Sequence, residues 1–221
     1  MSRELAVVLL SGGMDSTVCA SVASLNYSLA FLHVQYGQRT EKKELECFYK
    51  LCNYFKPEKI LIARAHFLRD IGASSLTDVG IPLPKEESGI PSTYVPFRNG
   101  IFLSIAASWA EAIGGSKIFI GVNQIDFSGY PDCRETFIKA FNKAIEVGTR
   151  PETKIEIATP LINLSKREIV ELGMKLGTPF ELTWSCYGEE DLACGECSSC
   201  SLRLRAFVET GFKDPIPYRK R

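Results

Sequence analysis

The run Leu5-Ala6-Val7-Val8-Leu9-Leu10-Ser11-Gly12-Gly13-Met14-Asp15-Ser16-Thr17 decides the fold. Its six leading apolar residues suit a strand buried on both faces, as in a parallel sheet covered on both sides. Two glycines then break the run, and a helix is predicted from about Asp15 to Leu25. Gly12 and Gly13 have no Cβ, so backbone N–H groups can approach an anion closely and the turn can take positive φ. The start of the helix adds orphan N–H donors and partial positive charge. Ser11, Ser16 and Thr17 offer hydroxyls to the same anion. Asp15 is an odd neighbour for phosphate unless a divalent cation lies between them or the carboxylate caps the turn. A well-capped turn without a ligand is the plainer reading of a bare Gly-Gly; the apolar strand and the three hydroxyls favour phosphate. The segment lacks the Lys of a Walker A loop and the third Gly of the dinucleotide fingerprint.

Outward from that turn, strands and helices alternate. Leu29–Val34 reads as a second strand, Thr40–Phe55 as a helix closed by Pro57, and Ile60-Leu61-Ile62 as part of a third strand. A helix over Ile101–Ile113 ends at Gly114-Gly115, a fourth strand covers Lys117–Val122, and another helix covers Thr136–Val147. Ile155–Ala158 is a fifth strand, followed by a helix over Lys166–Leu176 with Ser165 as its N-cap. This order predicts an α/β fold: a parallel sheet with helices on both faces, right-handed crossovers, and ligands beyond the carboxyl ends of the strands. Residues 65–95 show no sustained period, and an irregular stretch of that length is usually functional or mobile.

The chain of 221 residues has 26 basic and 26 acidic residues, so its formal charge is zero. Balanced charge gives no global attraction to nucleic acid or to an anionic membrane; the Arg219-Lys220-Arg221 ending reads as a solvated tail. No apolar run approaches the roughly 20 residues of a membrane span, and the N-terminus lacks a signal-peptide pattern. A cytoplasmic location is expected, and with it reduced thiols.

Of the eight cysteines, Cys19, Cys47, Cys52 and Cys133 are scattered, whereas Cys186, Cys194, Cys197 and Cys200 are crowded as C-x7-C-x2-C-x2-C. Such spacing brings four thiolates to one tetrahedral metal, which leaves no open position and so suits structural Zn²⁺. An iron–sulfur cluster is the alternative. The division expected is a nucleotide-binding domain over 1–180 and a zinc module over 181–221 packed on it.

Two further segments bear on a substrate. Tyr94-Val95-Pro96-Phe97-Arg98-Asn99-Gly100 combines a cation, an amide and aromatic rings ahead of a helix. Asp126-Phe127-Ser128-Gly129-Tyr130-Pro131-Asp132-Cys133-Arg134 follows the fourth strand. Carboxylates, a guanidinium and rings suit a planar heterocycle with N–H groups and an anionic substituent; a capped turn with a local Asp–Arg pair is the plainer reading.

The run from Leu9 to Thr17 resembles the pyrophosphatase-loop superfamily, which implies ATP cleaved between its α and β phosphates. The superfamily also includes tRNA-thiolating enzymes and amidotransferases, and a nucleic-acid-binding module read by the cysteine knuckle is a rival of another class. Taken in order with Tyr36-Gly37-Gln38-Arg39, the two segments above and the cysteine-rich ending, the chain resembles the 7-cyano-7-deazaguanine synthase family. That resemblance runs over nearly the whole chain. It implies a Rossmann-like adenine nucleotide alpha hydrolase fold and conversion of 7-carboxy-7-deazaguanine, ammonia and ATP to the nitrile that precedes queuosine or archaeosine. It further implies Mg²⁺, one structural Zn²⁺ per subunit, a homodimer and no direct nucleic-acid partner. The expected nucleotide site is Leu10, Ser11, Gly12, Gly13, Met14, Asp15, Ser16, Thr17, Val18, Cys19 and Ala20, with Asp15, Ser16 and Arg98 in catalytic roles. Asp126, Tyr130, Asp132 and Arg134 are the candidates for the deazaguanine. Two positions depart from the family pattern: Thr40 stands where His is common, and Phe97 where a small residue is usual. Thr40 is a poor acid–base group, and Phe97 is expected to reshape the pocket wall.

Overall fold

A computed structural model describes residues 3–85, 89–123 and 129–219. The first apolar run forms β1 (Leu5–Leu9), the central strand of a five-stranded parallel sheet. β2 (Ser28–Gln35) and β3 (Lys59–Arg64) extend it on one side, β4 (Lys117–Phe119) and β5 (Glu156–Ala158) on the other, in the order β3-β2-β1-β4-β5. Register is set by pairs such as Val7↔Ala30 and Val7↔Ile118. The chain winds outward to β3 and returns to the far side of β1, so the direction of winding reverses between β1 and β4. A crevice opens at the carboxyl ends of the strands at such a reversal.

Side-chain alternation along β1 divides the core into two layers. Val7 and Leu9 face buried residues of α4 (Arg98–Ile113) and α5 (Glu135–Gly148), among them Leu103, Ala106, Ile138 and Ile145. Ala6 and Val8 face the other way, onto Val18 of α1 (Met14–Ser24), Phe48 of α2 (Glu41–Phe55) and Ile169 of α6 (Lys166–Lys175). Both faces of β1 are therefore dry, and every position of the strand is apolar for that reason. Ser165 caps α6 as expected, in a capping box: its hydroxyl accepts from the Glu168 amide at 3.3 Å while the Glu168 carboxylate accepts from the Ser165 amide at 2.8 Å.

Two boundaries lie three residues from the sequence reading, and one helix near the end of the chain was not foreseen in it. β4 stops at Phe119 rather than Val122, because Gly121 passes so close to α1 that a Cβ there would lie 3.0 Å from the Asp15 carbonyl carbon. α4 begins at Arg98 rather than Ile101, since the Asn99 amide donates to the Asp132 carboxylate at 2.8 Å and so gains a cap from outside the helix. The last forty residues contain a further helix, α7 (Ser198–Thr210), ended by Gly211 at φ +73°. Its Ala206 and Phe207 join the same apolar layer as α1 and α6.

Among the described residues between β3 and α4 lie one short helix, α3 (Phe67–Ile71), and then turns. The described part of this stretch is anchored: Ser74, Ser75, Thr77 and Thr93 are buried, and the Ser75 amide donates to the Ser92 carbonyl at 2.8 Å. Among the described residues no helix is long and apolar enough to cross a membrane.

Candidate active site

The turn between β1 and α1 is tightly drawn. Gly12 takes φ +91°, and a Cβ there would meet the Glu44 carbonyl oxygen at 2.7 Å, so no other residue fits without displacing α2. Gly13 is the N-cap of α1, whose first helical hydrogen bond runs from the Thr17 amide to the Gly13 carbonyl at 3.1 Å. The amides of Met14, Asp15 and Ser16 thus lie ahead of the helical ladder, where an anion is favoured. Ser11 Oγ and Ser16 Oγ are 3.0 Å apart, and Ser11 Oγ also accepts from the Gly13 amide at 3.2 Å. Asp15 forms an ion pair with Lys166, whose side chain is 8% exposed. The second carboxylate oxygen of Asp15 is buried with no hydrogen-bond partner, an arrangement that costs free energy unless a cation or donor fills it.

This turn forms one wall of a cavity of about 270 Å³. Tyr36, Gln38, Thr40 and Glu44 form a second wall, beyond the end of β2. The Arg98 guanidinium lies over the Tyr36 ring, 5.4 Å from its centroid, and donates to the Tyr36 hydroxyl at 3.0 Å. Burial pushes the Tyr36 phenol up to about 12. Tyr130 lines the cavity as well, and its hydroxyl is 2.7 Å from that of Thr93. The cavity therefore combines an anion cradle, a fixed cation and aromatic faces.

The last wall comes from Trp184, Ser185, Cys186 and Tyr187. The Trp184 amide donates to the Gly12 carbonyl at 2.9 Å, which ties this wall to the β1–α1 turn. Behind it the sulfurs of Cys186, Cys194, Cys197 and Cys200 all lie within 4.8 Å of one another. Cys194 and Cys200 are 3.9 Å apart at sulfur, close to the edge of about 3.8 Å for a tetrahedron with ~2.3 Å metal–sulfur bonds. Backbone amides of Cys194 and Cys197 point at sulfurs at 3.4 and 3.3 Å, as suits thiolate acceptors. Gly195 takes φ +74°, the left-handed conformation that lets the knuckle turn.

A family model described as "Queuosine biosynthesis protein QueC" matches residues 5–211. The chain belongs to the QueC family. A relative from Chlorobaculum parvum, a 7-cyano-7-deazaguanine synthase, is 56% identical over 220 residues, covering 98% of this chain and 97% of the relative. Another of that name from Nitratiruptor is 55% identical over 217 residues, with 97% and 98% covered. As a QueC protein with such relatives, the chain is an enzyme of this kind. Among solved structures, NMN synthetase from Francisella tularensis aligns with TM-score 0.52 at 15% identity over 96% of this chain and 79% of that one. A 4-thiouridine synthetase, solved with RNA and bound ATP, aligns with TM-score 0.51 at 20% identity over 94% of this chain and 50% of that one. At such identities the likeness is one of fold, the adenine nucleotide alpha hydrolase type.

Within this QueC chain the expected site residues part company. Leu10, Ser11, Gly13, Met14, Asp15 and Ser16 line the cavity, as does Arg98. Thr17, Val18, Cys19 and Ala20 do not; all four are buried in the helix, and the Thr17 hydroxyl donates to the Gly13 carbonyl at 2.8 Å. Tyr130 is in the cavity, whereas Asp132 is buried outside it, where one carboxylate oxygen caps α4, and Arg134 is an exposed residue ahead of α5. Asp126 lies outside the described residues. Phe97 does not reshape the pocket wall: it sits at φ +55°, half exposed, with its ring over Gly100 and against Phe137 at 5.6 Å. A left-handed residue there explains why a small side chain suits the position. Tyr36, Gln38, Glu44, Lys166 and Trp184 line the cavity without having been singled out as site residues. Lys166 is marked in sequence only by its place just after a helix cap.

Proposed function

We propose that the protein converts 7-carboxy-7-deazaguanine, ammonia and two ATP to 7-cyano-7-deazaguanine, with two AMP and two pyrophosphates released. The observation that carries this reading is a single cavity holding the phosphate turn, the unpartnered Asp15 oxygen, Arg98 and a set of aromatic rings.

The amides at the start of α1 and the hydroxyls of Ser11 and Ser16 hold the leaving pyrophosphate. Asp15 would hold Mg²⁺ through its unpartnered oxygen, and the ion when bound would neutralise phosphate charge. Arg98 holds the substrate carboxylate or an α-phosphate oxygen, while Tyr36 and Tyr130 face the heterocycle. The carboxylate oxygen attacks the α-phosphorus, and the bond to pyrophosphate breaks. Ammonia displaces AMP to give the amide. The amide oxygen then attacks a second α-phosphorus, and loss of AMP with the remaining N–H protons leaves the nitrile. Positioning and charge neutralisation are the main contributions of the chain in such chemistry. Asp126, Asp132 and Arg134 remain candidates for the deazaguanine.

Zinc is the ion that four thiolates at tetrahedral spacing suit, and several irons would hold the sulfurs farther apart. Its role is to brace the Trp184–Tyr187 wall. A thiolating activity needs a reactive cysteine: burial holds the Cys19 thiol far above its ordinary range and pushes Cys133 up to about 12. Zero formal charge supports a small-molecule substrate rather than nucleic acid. A homodimer in the cytoplasm completes the reading and rests on the family resemblance.

The test is to incubate purified protein with Mg²⁺, ATP, the deazaguanine carboxylate and ammonium, and to identify the products by mass. Nitrile and AMP are expected; ADP as the sole nucleotide product removes the adenylate step.

A further inference from the structure

Glu44 lies in the first turn of α2, its amide donating to the carbonyl of the N-cap residue Thr40 at 2.9 Å. Its side chain points into the cavity and both oxygens are held. Gln38 Nε2 donates to Oε2 at 2.8 Å, and Thr40 Oγ1 donates to Oε1 at 3.1 Å. The same helical turn rests directly on Gly12, with no room for a Cβ between them. The carboxyl is therefore fixed on the wall that adjoins the phosphate turn, half-buried among the residues that line the cavity.

On the reading above, each turnover needs a base. At neutral pH ammonia is mostly ammonium, and its nitrogen must shed protons as it becomes first an amide and then a nitrile. Several other groups on the cavity wall are protonated at neutral pH or engaged elsewhere. Tyr36 and Cys133 are held at about 12, and Asp15 is paired with Lys166. Arg98 is a permanent cation, and Cys186 belongs to the knuckle. Thr40 itself does not titrate in this range.

We propose that Glu44 is the proton acceptor of this site, taking a proton from nitrogen as ammonia adds to the adenylated carboxyl carbon. The step rests on the adenylation reading and balances simply. The C–N bond forms, one N–H proton passes to a Glu44 oxygen, the C–O bond to AMP breaks, and the electron pair leaves with AMP. Glu44 then returns the proton to water through the open side of the cavity.

Burial moves Glu44 up to about 7, against the opposing effect of its bonds from Gln38 and Thr40. The charged and titratable groups around it are Arg98 on α4, which lowers it, Glu41 one turn earlier on α2, which raises it, Tyr36 before the helix, and Cys47 one turn later. A base matched to the working pH is the efficient one. Because the unprotonated form is the active one, kcat rises with pH through about 7.

The experiment measures two rates across neutral pH, with free ammonia held constant and saturating, for wild type and Glu44→Gln. Carboxylate-dependent ATP–pyrophosphate exchange reports adenylation; amide plus nitrile formation reports the later steps. Glu44→Gln is expected to lose about 100-fold or more in product formation, a larger loss than in exchange, and to lose the rising limb. Thr40→Val, which removes one donor to the carboxylate, moves the limb to higher pH and carries the test should Glu44→Gln not fold. An unmoved limb in Thr40→Val, or a Glu44→Gln enzyme that keeps the limb, overturns the assignment of Glu44 alone. Wild-type protein with no exchange overturns the adenylation reading, and this step with it.

Discussion

Removing the Arg203 guanidinium should unbalance a network that joins α7 to the cavity wall. Arg203 is 1% exposed. Its Nε and one terminal nitrogen donate to the two oxygens of Asp214 at 2.8 and 3.0 Å. The same terminal nitrogen also donates to the Phe180 carbonyl at 3.3 Å, and the other one donates to Thr183 Oγ1 at 2.7 Å and Ser185 Oγ at 3.1 Å. Asp214 is equally buried, with a side chain 3% exposed, and also accepts from the Tyr218 hydroxyl at 2.6 Å. Arg203→Met fills most of the volume but strands that carboxylate, which costs about 3–5 kcal/mol. At about 2–4 °C per kcal/mol for a domain of this size, Tm should fall by roughly 10 °C. Thermal unfolding by circular dichroism, with metal content held equal, measures it. Arg203→Met/Asp214→Leu should cost about 2 kcal/mol less than the two single variants summed, since no charge is then left alone. A single-variant cost below about 1 kcal/mol, or strict additivity, refutes the reasoning.

Other outcomes follow from the same geometry. Asp15→Asn, which keeps a hydrogen bond to Lys166 but loses the charge, should cut turnover about 100-fold with little change in Tm; Asp15→Ala is less clean, because it leaves Lys166 buried beside an empty space. Cys197→Ser should lower bound zinc from about one per chain to near none and destabilise the fold, read by metal analysis and thermal unfolding. Cys133→Ala should retain most of its turnover in the product assay, since a thiol held at about 12 is no nucleophile at neutral pH.

Much of this fold can be read without coordinates because a parallel sheet writes itself in apolar runs. β1 is apolar throughout, and the helices that cover it carry stripes of matching period. What escapes the sequence depends on partners far along the chain. α7 is hidden because an arginine occupies its core face, and the carboxylate that makes Arg203 tolerable there comes eleven residues later. The start of α4 is set by Asp132, 33 residues beyond the Asn99 amide it caps; the same carboxylate, read locally, looks like a substrate acceptor. Glu44 sits in the charged stretch Glu41-Lys42-Lys43-Glu44-Leu45-Glu46, which reads as a solvated helix face. Only the contact between Gly12 and α2 turns that residue into a cavity wall. The glycine turn after β1 and the cysteine knuckle were legible since each is local: glycines at the mouth of a strand, and thiols two residues apart.

Isotope transfer tests the central claim most directly. Substrate labelled with ¹⁸O in its carboxylate should give AMP carrying one ¹⁸O on phosphorus for the first activation, detected by mass. Unlabelled AMP, or label appearing in inorganic phosphate, contradicts attack of that carboxylate on the innermost phosphorus held at the β1–α1 turn.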